Sequence, residues 1–206
     1  MRTGRAIENI PVLVAIGVTE EGIKIIVGLQ SGDNESATNW REFFRDLKMM
    51  ALNRSLVQLR IMDGLSGLEM VFREKFPNAK VQRCQVNVAR NVLAKVPHKL
   101  KKTAADDLSS IFYPSSKEKA RVFYKEFHEK WGKVIPSAVK SLSQAIDSCL
   151  TFFSFPEEEW ISLRTTKVIE RLNKEYTRRI KSMEIVAGEQ ACYRLLAFIS
   201  LKMEMN

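Results

Sequence analysis

The chain is poor in the residues that build several familiar kinds of site. It has only three cysteines and two histidines among 206 residues. Cys84, Cys149 and Cys192 are widely spaced and form no CxxC pair. That argues against a zinc site or a disulfide framework and suits thiols kept reduced in a cytoplasm. His98 and His128 lie in charged helical stretches, with no nucleophile or ligand set around either. No Gly-rich phosphate loop of the Walker or Rossmann type occurs. No apolar run approaches the roughly 18 residues needed to span a bilayer. The basic start Met1-Arg2-Thr3-Gly4-Arg5 is not followed by the apolar segment of a signal peptide. Repeats and low-complexity tracts are absent as well. The expectation is a soluble, cytoplasmic protein with no membrane partner.

Acid is scarce relative to base. Against 33 Lys and Arg stand 24 Asp and Glu, for a net charge of +9 and a pI near 9.5. Such an excess favours a polyanionic partner. Hydrophobic residues make up 45% and charged residues 28%, an ordinary globular balance for one domain or a domain with a large insertion.

The apolar runs come first. Pro11 to Val18 reads as a buried strand, Thr19-Glu20-Glu21-Gly22 as a turn and Ile23 to Leu29 as a second strand, together a hairpin. Ser31 to Asn34 reads as a loop. Ser36 is placed to cap a helix running to about Asn53, with Trp40, Phe43, Phe44, Leu47 and Met50 at helical spacing. Val57 to Met62 is a third strand, ending at Asp63. A helix over about Gly67 to Phe76 and a short strand over Val81 to Val86 follow.

From about Asn87 the pattern is almost wholly helical. Pro97 interrupts it, and Ser115 or Ser116 caps the stretch Lys117 to Gly132, aromatic inside at Phe123, Phe127 and Trp131. Pro136 to Phe153 reads as one further helix. Glu157-Glu158-Glu159 reads as a solvated acidic face. Thr165 or Thr166 caps a helix over about Val168 to Lys181, and Gly188 opens a last one to about Met203. Strands alternating with helices, then a helical block, define an α/β core with a helical insertion. The expected divisions are residues 1–91, 92–163 and 164–206.

Two acids stand out. Asp63 closes an apolar strand, where catalytic acids of α/β enzymes emerge. Asp-Gly is equally an ordinary turn. Glu170 opens a helix crowded with Arg164, Lys167, Arg171, Lys174, Arg178, Arg179 and Lys181. One acid beside a basic strip suits a metal ligand next to a phosphate backbone. A Glu170–Lys174 pair at i+4 on a solvated face reads the same residues without function. Arg83 in the last strand and Arg90 after it are further candidates for phosphate contact, and Cys84 is a small residue buried at a strand end.

The ordered series of motifs resembles the mutator-type transposases of prokaryotic insertion sequences, a branch of the DDE superfamily. It runs through Val14-Ala15-Ile16-Gly17-Val18, Glu35-Ser36 with Trp40, and Asp63-Gly64-Leu65-Ser66-Gly67-Leu68. It continues with Phe76-Pro77, Gln82-Arg83-Cys84-Gln85-Val86, Arg90-Asn91 and Val96-Pro97. It closes with Thr165-Thr166, Ile169-Glu170-Arg171-Leu172-Asn173 and Arg178-Arg179. The resemblance implies an RNase H-like core with an all-helical insertion ahead of the last catalytic acid. It implies three acids holding two divalent metals, magnesium or manganese, with Asp63 as the second acid and Glu170 as the third. DNA cleavage and strand transfer is the implied activity, with insertion-sequence ends and target DNA as partners and a nucleoid location when bound.

Three departures qualify it. The strand to carry the first acid is expected before residue 1, so the mixed sheet is expected to be incomplete and the chain N-terminally truncated. Asn87 stands where the family usually has His, and imidazole and carboxamide differ in acid–base chemistry. Lys167 stands where Asn is usual after Thr-Thr. The implied reading is a catalytic-core fragment with little activity alone. The alternative is a non-catalytic DNA-binding or dimerising remnant that modulates an intact transposase, as a homo-oligomer or by pairing with the full-length protein.

Overall fold

A computed structural model describes residues 2–3, 6–7, 12–19, 21–31, 36–49, 52–64, 66–181 and 189–204, some of them, Lys181 and Cys192 included, by backbone alone. Six strands are described: β1 (Arg2–Thr3), β2 (Ala6–Ile7), β3 (Val12–Val18), β4 (Lys24–Ser31), β5 (Leu59–Met62) and β6 (Lys80–Arg83). The helices of the first half are α1 (Ala37–Met49), α2 (Ser66–Lys75) and α3 (Gln85–Leu93). The middle holds α4 (Lys101–Phe112), α5 (Lys117–Trp131), α6 (Pro136–Ser143), α7 (Ile146–Cys149) and α8 (Trp160–Leu163). The last two are α9 (Lys167–Lys181) and α10 (Glu189–Glu204). The protein is mixed α/β. Among the described residues the strands form separate pairs, β1 with β2, β3 with β4 and β5 with β6, and no strand joins them.

The chain divides into two compact units. The first gathers residues 1–56, 66–77 and 167–206. Its β3 and β4 pair antiparallel as expected, with a register shift between Ala15 and Ile16 that marks a bulge. Trp40, Phe43, Phe44 and Leu47 of α1 are buried. Phe44 packs edge-on against Phe72 and Phe76, at 6.0 and 5.4 Å between ring centroids. Gly28 of β4 lies so close under Leu47 and Phe43 that a side chain there would displace them. Leu172 and Tyr176 of α9 pack with Leu196 and Ile199 of α10, and Val12, Val14, Ile16, Ile26 and Leu29 of the hairpin join that cluster. Tyr176 Oη and Ser200 Oγ share a hydrogen bond of 2.6 Å inside it.

The second unit gathers residues 57–65 and 78–166. In it β5 and β6 pair parallel, Met62 opposite Arg83. One continuous core runs from Val88 of α3 to Phe152, with Ile111, Phe127, Trp131 and Leu142 among its buried members. Ser116 caps α5, its Oγ accepting from the Lys119 N–H at 3.2 Å, as its sequence position predicts.

Several boundaries differ from expectation. Ser36 does cap α1, its Oγ accepting from the Asn39 N–H at 3.2 Å. Leu52 and Asn53, however, are outside the helix, and Asn53 Oδ1 accepts from both the Ser55 N–H and hydroxyl. That local bonding competes with helix continuation. Ser31 belongs to β4 rather than to a loop. Strand β6 stops at Arg83 and α3 begins at Gln85, earlier than expected, because Cys84 takes the N-cap position. The stretch Pro136–Phe153 is not one helix but α6, α7 and a 3₁₀ turn over Thr151–Ser154. The Cys149 carbonyl is drawn into bonds with the Gln82 and Gln85 side chains there. Residues 32–35, Glu8, Pro11, Glu20 and Gly188 lie outside the described residues. No described helix is long and apolar enough to cross a membrane.

Candidate nucleic-acid interface

In the second unit Asp63 follows the end of β5 and is exposed. Among the described residues no hydrogen bond or ion pair engages its carboxylate. Gly64, next to it, has φ +96°, a conformation that glycine adopts without strain. A Cβ at that position would collide with the Arg83 guanidinium. The strand pairing thus lays a cation over the backbone beside Asp63. Arg83 Nε is buried there without a hydrogen-bond partner.

The Gln82-Arg83-Cys84-Gln85 motif proves to be largely a fastening. The Gln82 side chain is fully buried. It donates to the Arg83 and Cys149 carbonyls at 2.9 Å each and accepts from the Phe152 N–H at 2.8 Å. Gln85 donates to the same Cys149 carbonyl at 2.9 Å. Thr151 Oγ1 donates to the Val81 carbonyl at 2.8 Å. Cys84 Sγ accepts from the Thr166 N–H and hydroxyl at 3.4 and 3.3 Å. Sequence reading took the motif as a family marker and missed this role. The one available signal was the pair of glutamines flanking a buried cysteine. Burial pushes the Cys149 thiol up to about 12.

The other arginines of this unit behave differently from one another. Arg90 is exposed, and its Nη1 donates to Asn87 Oδ1 at 3.0 Å. Asn87, the departure from the usual His, therefore orients a cation. Arg164 stacks its guanidinium over Phe152 at 4.7 Å and over Tyr113 at 5.4 Å. Burial lowers its pKa, an effect that the nearby Tyr113 opposes. Its carbonyl accepts from the Gln85 N–H at 3.0 Å.

In the first unit α9 carries the basic residues expected of it. Leu172 and Tyr176 bury one face, while Lys167, Arg171, Lys174 and Arg178 are exposed. Their i, i+4, i+7, i+11 spacing places these four on one stripe. The Lys181 backbone extends the helix by one turn. Glu170 is half-buried and, among the described residues, has no ion pair with Lys174. Glu175 is the acid that pairs instead, with Arg178 at 2.8 Å and Arg179 at 3.5 Å. The Arg178 hydrogen bond, chiefly, holds the Glu175 carboxyl below the usual carboxylate range. Among the described residues Glu170 thus keeps its acceptor atoms open beside the stripe, whereas Glu175 offsets part of the charge at its edge.

Among the described residues no three His, Cys, Asp or Glu side chains gather closely enough to hold a metal ion.

These features define a mixed α/β protein with a free acid after a core strand, a large helical block and a basic amphipathic helix near its end. Over residues 1–206 the chain matches the family described as Transposase, Mutator family, and it belongs to that family. It is 31% identical over 183 residues to a transposase for insertion sequence element IS905 of Lactococcus lactis, covering 89% of this chain and 46% of that protein. It is 33% identical over 195 residues to the transposase for IS6120 of Mycolicibacterium smegmatis, covering 92% and 59%. To the transposase for IST2 of Acidithiobacillus ferrooxidans it is 34% identical over 162 residues, covering 79% and 54%. The chain spans about half the length of these curated relatives.

Proposed function

We propose that this chain is the catalytic-core portion of an insertion-sequence transposase, whose work is DNA cleavage and strand transfer. Asp63 and Glu170 are assigned as two of its acids, and the α9 stripe, with Arg83 and Arg90, as cations that follow the DNA backbone. The observation that carries the reading is on α9. Four cations share one exposed stripe while, among the described residues, Glu170 beside them is left out of the ion pairing. Counterion release on such a stripe gives salt-sensitive binding to DNA. For the strand-rich part we propose an RNase H-like sheet. An antiparallel hairpin followed by a parallel strand–helix–strand pair supports it.

Magnesium or manganese is the cation proposed for the acids; when bound, such ions stabilise the attacking and leaving oxygens of phosphoryl transfer. Calorimetric titration with manganese tests the assignment. Binding lost in both Asp63→Ala and Glu170→Ala supports it, and binding that survives both substitutions overturns it.

The second reading is a non-catalytic DNA-binding or dimerising protein acting on an intact transposase, for which the exposed cations of α9 suffice. It predicts DNA affinity indifferent to both metal ions and to Asp63→Ala.

A further inference from the structure

The second unit contains a groove that the reading above does not use. It lies between α3 and α4, has a volume of about 540 Å³ and has an apolar floor that includes Ala89 and Leu108. That size suits a small-molecule or single-residue ligand. Four features at or beside it are unusual together. Gln85 lines it and is 1% exposed, and its Oε1 has no hydrogen-bond partner. A buried acceptor left so is costly unless a donor meets it. Tyr113 lines it with 57% of its surface exposed. The Arg164 guanidinium stacks on that ring. Arg90 and Lys101 add two cations, both exposed. From Gln85 to Arg90 is about 7.5 Å along the α3 axis.

We propose that this groove takes one unpaired nucleotide, its base against Tyr113 and, on a turn of the Gln85 amide into the groove, donating to Gln85 Oε1, its phosphate at Arg90. The chemistry fits each part. Aromatic rings and arginine planes hold unstacked bases, and cations hold phosphate. Every base carries an N–H group on its pairing edge, so the site accepts any of them once the base is out of a duplex. The same chemistry is offered by a free mononucleotide and by a base exposed in a DNA strand. The choice of DNA as the source rests on the transposase reading.

The test is fluorescence anisotropy of a short labelled adenine single strand with the full 206-residue chain. Tyr113→Ala is expected to weaken binding about fivefold or more, the loss typical of one base–aromatic stack. Tyr113 is a surface residue, so this variant retains its fold. Replacing adenine by unsubstituted purine, which lacks the amino group, is expected to weaken binding about fivefold. That difference is expected to vanish in Gln85→Leu. Deoxyadenylate as competitor separates the sources. Displacement of the strand at matched concentration identifies a mononucleotide site, and failure to displace it identifies a site for a base in a strand. Unchanged affinity on both Tyr113→Ala and the purine exchange overturns the proposal. If Lys174→Ala with Arg178→Ala still weakens duplex binding in that case, the DNA reading stands without the groove. If duplex binding is absent too, both fall.

Discussion

Replacing Gln82 by leucine isolates what holds the helical block to the parallel strand pair within the second unit. Leucine is close to glutamine in size, so the change removes hydrogen bonds with little loss of packing. Three bonds go: two donated to the Arg83 and Cys149 carbonyls and one accepted from the Phe152 N–H. The Cys149 carbonyl keeps Gln85 as a donor. The Phe152 N–H stands at the start of a 3₁₀ turn, where intrahelical partners are missing. It is left unsatisfied in the core at a cost of about 1–3 kcal/mol. Loss of the Arg83 bond adds about 0.5–1.5 kcal/mol. Together this is roughly 2–4 kcal/mol, or a fall in Tm on the order of 4–16 °C for a chain of this length. Gln85→Leu behaves differently. It removes one of two donors to the Cys149 carbonyl and also a buried, unpartnered Oε1, so its net cost is about 1 kcal/mol or less. Thermal melting of the two variants, with hydrogen exchange at the Phe152 amide, checks the ranking. Equal losses, or a Phe152 amide as protected in Gln82→Leu as in the parent, would refute the reasoning.

Further outcomes follow from other observations. Gly64→Ala is expected to destabilise by about 1–3 kcal/mol, from a positive φ and displacement of Arg83. Adding Arg83→Ala should restore part of it in melting experiments, and a strictly additive double variant would count against the contact. Lys174→Ala with Arg178→Ala should flatten the salt dependence of DNA binding by about one unit of slope per lost phosphate contact, read from a salt titration. An unchanged slope would mark α9 as a merely solvated face. Cys149 is held protonated by burial, with its pKa at about 12. Unfolded cysteine ionises near pH 8.5, so this stabilisation is complete below that pH and is lost as pH rises from there through about 12. Urea unfolding between pH 8 and 10 should show stability falling with pH, and Cys149→Ala should remove part of the slope.

Much of the architecture is legible in the residues themselves because it rests on neighbours in sequence. Two apolar, β-branched runs around a turn make the β3–β4 hairpin. Ser36 and Ser116 cap their helices within three residues. Residues at helical spacing give α9 its buried and basic faces. Asp63 at a strand end and Glu170 at a helix start are visible as candidates for the same reason, and the order of the motifs identifies the family. Tertiary structure alone decided the rest. Gln82 and Gln85 reach a carbonyl 67 and 64 residues away, and no local pattern says which distant acceptor a buried amide will meet. The same fastening holds the carbonyl at which α7 ends, within a stretch Pro136–Phe153 whose periodicity alone favours one helix. Arg164 reads as one more cation in a basic run, yet folding lays it on aromatic rings 12 and 51 residues earlier in the chain. On α9 the spacing allowed Lys174 to take Glu170, but the ion pairs form at Glu175. Sequence determines periodicity, caps and turns because these depend on bonds within a few residues. Which polar groups are consumed in holding the fold and which remain open for a ligand depends on contacts between segments far apart in the chain, and only the folded structure supplies those.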